Sequence, residues 1–177
     1  MIPAPGAYNV FTAIDKDLHK FKRKVLGQGF ADSSVRFFEP TILRHIDIFI
    51  RNLTNASDRS INSTWSAPIN MTQRCRHLGY DVMGEFGFGQ SFQLQTSQKN
   101  HFLIDAVEAT SLKAGVYVQY PRLRSLNLEK LLARRSAKMR ERYLELMSRL
   151  VKHRLASDKD SHQDLFSWVV DAKDPET

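Results

Sequence analysis

The spacing of apolar residues along the chain predicts a succession of helices. Leu18, Phe21 and Val25 share one face at helical spacing. They predict a short helix from an Asp15 N-cap to about Leu26, closed by Gly27 and Gly29. A longer helix is expected over about Val35–Leu53, with Ile42, Ile46, Phe49 and Leu53 as its stripe and Pro40 near its start or at a helix joint. The next, about Met71–Phe86, places Cys75, Leu78, Val82 and Phe86 together and stops at Phe88-Gly89. Gly79 and Gly84 lower its propensity and imply close approach of another backbone. Further helices are expected over about Gln98–Gln119, ahead of Pro121, over about Leu128–Ala156, and over Leu165–Val170 before Asp174-Pro175. The stripe of the second of these is Leu132, Met139, Tyr143, Leu146 and Leu150. Residues up to about Ile14 read as loop, and 52–70, rich in Asn, Ser and Thr, as loop with room for a short strand. No stretch clearly alternates, so the fold class is mainly α.

Composition adds few limits. The 177 residues, 42% hydrophobic and 25% charged, suffice for one domain with a core. The single cysteine, Cys75, rules out an internal disulfide. No apolar run is long enough to cross a bilayer, and the first residues lack the pattern of a signal peptide. The net charge of +7 admits nucleic acid, an anionic membrane or an acidic protein as partner. Much of it lies on the last long helix, at Arg134, Arg135, Lys138, Arg142, Arg149 and Arg154. Glu141 and Glu145 interrupt that run, and neither a helix-turn-helix nor a zinc spacing is present, so nucleic acid is not the expected partner. A basic module for an anionic membrane or nucleic acid, and a cofactor-free helical scaffold, are the alternative readings.

Candidate chemistry starts at His19 and Arg23, four residues apart and therefore on one helix face. Such a pair can bind carboxylates or a phosphate, Arg in a forked geometry. On spacing alone a solvated basic face is the simpler reading. Cys75, within Arg74-Cys75-Arg76-His77, is expected to be a small buried hydrophobe; with His77 it is too sparse for a metal site. Asn-x-Ser/Thr triplets begin at Asn52, Asn55, Asn62 and Asn70, in or near one Asn/Ser/Thr-rich stretch, and chance composition accounts for them.

Three segments in order change the weighting. Asp17-Leu18-His19 through Arg23 to Leu26, followed by Gly29-Phe30-Ala31-Asp32 and Phe38-Glu39-Pro40, resembles the C helix of cytochromes P450. Gly79-Tyr80-Asp81-Val82-Met83-Gly84-Glu85-Phe86-Gly87-Phe88-Gly89 resembles the end of the E helix, especially in fungal members. Asp164 to Thr177 resembles the segment before the long I helix. The resemblance covers nearly the whole chain and implies a partial P450 fold, helices C to H, with residues 1–177 as one partial domain.

It also implies a heme cofactor, with His19 and Arg23 on a propionate. The implied partners are an NADPH-dependent reductase, against Lys20, Lys22 and Lys24, and a small hydrophobic organic substrate. Tyr8, Val10, Phe11 and Phe102 would line its channel. The setting implied is the cytosolic face of the endoplasmic reticulum membrane, through an upstream anchor. The Phe-x-x-Gly-x-Arg-x-Cys-x-Gly loop, a Glu-x-x-Arg and the acidic-Thr pair of the family do not occur in these residues. The chain by itself is therefore expected neither to hold heme stably nor to be active.

Overall fold

Helix α1, Lys16–Gly29, starts where Asp15 can cap it. The Asp15 carboxylate accepts from the backbone N–H of Asp17 and Leu18, at 3.0 and 2.8 Å. In this computed structural model, residues 8–57, 68–120, 122, 134–158, 164–170 and 172 are described. Leu18 is buried, and Phe21 and Val25 are half-buried on the expected face. The helix runs past Gly27 to Gly29, which lies against the last helix of the chain: a Cβ there would stand 2.6 Å from Leu165 Cδ1.

Helix α2, Asp32–Ser57, is longer than its apolar stripe at both ends. It enters at Asp32, so Pro40 lies inside the helix rather than near its start or at a joint, and there it removes one backbone donor. Residues 52–57, expected as loop, are its last turn and a half, and 58–67 lie outside the described residues. Ile42, Ile46, Phe49 and Leu53 are only half-buried, while Phe38 and His45 are buried.

Helix α3, Met71–Phe88, has Asn70 as N-cap and Gly89, at φ 67°, as its left-handed stop. Its buried residues match the expected face at Phe86 alone. His77, Asp81, Gly84 and Phe86 are buried; Leu78 and Val82 are half-buried; and Cys75 is exposed, not a buried hydrophobe. The physical reason lies in residues 90–101, a strandless, helix-free connection whose backbone needs partners. Asp81 Oδ1 and Oδ2 accept from the N–H of Leu94 and Gln95, at 2.8 and 2.9 Å. Asn100 donates to Phe92 O and Asn52 of α2 to Gln95 O, both at 2.9 Å. Gly84 gives the expected close approach, with Gln90 O 2.9 Å and the Phe92 ring 2.8 Å from where a Cβ would be; Gly79 does not, having nothing within 4 Å.

Helices α4, Phe102–Gln119, α5, Arg134–Ala156, and α6, Leu165–Val169, complete the described residues, among which there is no strand. Residues 98–101 are turn rather than helix, and 128–133, including Leu132, lie outside the described residues. α2 packs on α3, α4 on α5, and α6 on both α1 and α3. The core is Phe92, Leu94, Leu103, Ile104, Leu146 and Leu150, with Tyr143 against it as the α5 stripe requires. Arg154, expected on the exposed basic face, is buried instead. It forms a two-pronged ion pair with Asp164, Nε to Oδ2 at 2.6 Å and Nη2 to Oδ1 at 3.2 Å, which ties α5 to α6. No described helix is long and apolar enough to cross a membrane.

Candidate functional site

α1 presents two cationic or potentially cationic side chains one turn apart. His19 is half-buried and Arg23 exposed. Among the described residues neither side chain has a hydrogen bond or an ion pair. Lys16, Lys20 and Lys24 are exposed around them and Lys22 is half-buried. The donor set therefore suits a ligand carrying carboxylates.

The other candidates do not gather there. Phe11 is 97% exposed, in a turn where Asn9 Oδ1 accepts from the N–H of Phe11 and Thr12. Tyr8 and Val10 are half-buried. Phe102 lies on the opposite side of the chain order, at the start of α4, with the Arg142 guanidinium 4.4 Å above its ring. Its neighbour Leu103 is core.

An apolar cavity of about 720 Å³ opens between α3, α4, α5 and α6. Tyr80, Met83, Phe88, Leu103, Met147 and Phe166 line it, and none of Tyr8, Val10, Phe11, Phe102, His19 or Arg23 does. Sequence reasoning missed Met83 because it lies off the apolar stripe. The available signal was that α3 carries apolar residues on more than one face, which a helix with a single packing partner does not need. Arg76, on the cavity wall, is ion-paired with Glu108 of α4. Burial, with the nearby Glu108 carboxylate, raises the Tyr80 phenol above its ordinary 10.0, against the opposing Arg76. Tyr80 is thus a neutral hydroxyl in an otherwise greasy space.

Two polar clusters of α3 are occupied with structure. His45 Nε2 and Glu85 Oε2 are 2.7 Å apart, and Arg44 pairs with the same carboxylate. His77 stacks on His101, ring centroids 4.4 Å apart. Burial, then His101 and Arg74, hold His77 below the ordinary imidazole value of 6.5, against the pull of Asp81.

A family model for cytochrome P450 matches residues 3–177. A cytochrome P450 monooxygenase of Gibberella zeae is 33% identical over 97% of this chain and 39% of its own length. The cytochrome P450 monooxygenase AKT7 of Alternaria alternata is 31% identical over 88% of this chain and 30% of its own. For the cytochrome P450 monooxygenase ataY of Aspergillus terreus the figures are 30%, 96% and 72%. The chain thus spans 39% and 30% of the length of the first two relatives.

Proposed function

The chain belongs to the cytochrome P450 family, and we propose that it supplies one side of the heme pocket and part of the substrate channel of a heme-dependent monooxygenase. Residues 1–177 act in this reading as one partial domain of that enzyme. Heme, when bound, supplies through its thiolate-ligated iron the activation of O2 and the insertion of one oxygen atom into an organic substrate.

The chain's own contribution is binding and orientation. His19 and Arg23 hold a heme propionate, neutralising a carboxylate that would otherwise be costly to bury. The observation that carries this is their placement one turn apart on α1 without a protein acceptor among the described residues. The exposed lysines of the same helix, Lys20 and Lys24, with Lys22, form the docking face for an NADPH-dependent reductase. Tyr8, Val10, Phe11 and Phe102 border the approach of a small hydrophobic substrate. The complete protein is anchored upstream of these residues at the endoplasmic reticulum, facing the cytosol.

The thiolate must come from residues other than Cys75, which is exposed on α3. The 177 residues alone, given heme, reductant and carbon monoxide, should therefore develop no thiolate-type Soret band. A thiolate-type band from this chain would overturn the reading.

A further inference from the structure

α3 and the 90–101 segment meet at an imidazole pair that the proposed function does not use. His77 is buried, and its Nε2 has no hydrogen-bond partner among the described residues. The His101 ring lies over it, tilted by 38°. His101 has a second engagement: its Nε2–H donates to Leu94 O at 3.0 Å. One turn along α3, Asp81 takes the N–H of Leu94 and Gln95. The segment is therefore tied to α3 by a carboxylate on one side and by the stacked imidazoles on the other. What it covers is the deepest part of the core, since Leu94, Leu103 and Asp81 are the most completely buried large side chains described.

We propose that the His77–His101 stack is an acid-sensitive latch, closing the 90–101 segment on α3 while His77 is neutral and releasing it when His77 gains a proton. An imidazolium at this position would be a buried cation with an N–H and no acceptor, facing another imidazole. Relief requires the His101 ring to withdraw and admit water, which breaks its bond to Leu94 O. Arg74 on the same helix adds to the opposition, and Asp81 is the one neighbour that favours the charge. Of the other ionisable groups around α3, Glu85 is paired with Arg44 and His45 of α2, Arg76 with Glu108 of α4, and Asp164 of the α5–α6 junction with Arg154, while Tyr80 and Tyr143 contribute phenols.

The direction of the pH effect follows. His77 binds its proton less readily in the closed form than in an open one, so the open form gains protons first. Closure is at full strength above about pH 6.5 and weakens as the pH falls below it. Phe92 and Leu103 also line the apolar cavity, so the latch couples the shape of one cavity wall to proton concentration.

Amide hydrogen exchange on the 177-residue chain tests this. Protection factors of Leu94 and Gln95, corrected for intrinsic exchange, should fall as the pH is lowered below 6.5, with a slope no steeper than the roughly tenfold per pH unit of a single linked proton. His77→Gln should remove the slope, and His45→Gln should keep it. Protection that does not change with pH, or a slope retained in His77→Gln and lost in His45→Gln, overturns the proposal. Should His77→Gln fail to fold, the proton resonances of His77 in the unaltered chain decide. Titration at or above 6.5 overturns the latch, and titration below 6.5 together with loss of Leu94 protection supports it.

Discussion

Helices α1 and α3 each carry a pair of ionisable residues one turn apart, His19 with Arg23 and His77 with Asp81, and the two pairs have opposite fates. The α1 pair faces outward with no protein acceptor among the described residues. The α3 pair is buried, and its carboxylate is committed to two backbone donors of a neighbouring segment. The same spacing thus leaves a cationic pair without a protein acceptor among the described residues in one helix and serves the fold in the other. What separates them is whether a nearby irregular segment needs its backbone satisfied.

The sharpest way to break this contrast is Asp81→Ala. It leaves the Leu94 and Gln95 N–H groups buried without acceptors and should cost about 3 kcal/mol in urea unfolding. A loss of under about 1 kcal/mol would mean that the segment is held by something other than the α3 carboxylate.

The two α3 glycines give a finer test. Gly84→Ala pushes a methyl into Gln90 O and the Phe92 ring and should cost about 2 kcal/mol. Gly79→Ala enters open space on an exposed helix position and should stabilise by about 1 kcal/mol. Equal effects at both positions would remove the distinction between the two faces of α3.

The smallest effect belongs to α1. His19→Ala and Arg23→Ala should each change the stability of this chain by no more than about 0.5 kcal/mol, because neither side chain has a hydrogen bond or an ion pair among the described residues. A cost near 2 kcal/mol in chemical denaturation would make them structural residues and weaken the case for a ligand site.

The helices themselves were legible in the sequence because their ends are written in short-range chemistry. Asp15 caps α1, Gly89 stops α3 in the left-handed region, and α4 ends at Gln119 ahead of Pro121. The α5 stripe was legible too, since Tyr143, Leu146 and Leu150 meet the core by periodicity alone. The faces of α2 and α3 were not. Periodicity counts apolar side chains, and here the most deeply placed residues of these helices include His45, His77 and Asp81. Their burial answers needs that arise forty residues away or in a loop, as with His45 and Glu85 or Asp81 and Leu94. Arg154 was misplaced for the same reason, because its partner Asp164 lies beyond the end of its helix. That His19 and Arg23 share one helix was legible because it depends on that helix only; the cavity, built from four, was not.

The Arg154–Asp164 pair has a consequence for the order in which the chain can become organised. The same Asp164 carboxylate that holds Arg154 also accepts from Ser167 N–H and caps α6. A helix of five residues has no independent stability, so α6 exists on the strength of α5. Leu165 of α6 in turn rests against Gly29 at the end of α1. Helix α1 therefore meets one of its packing partners only after the residues of α5 and α6 have been made.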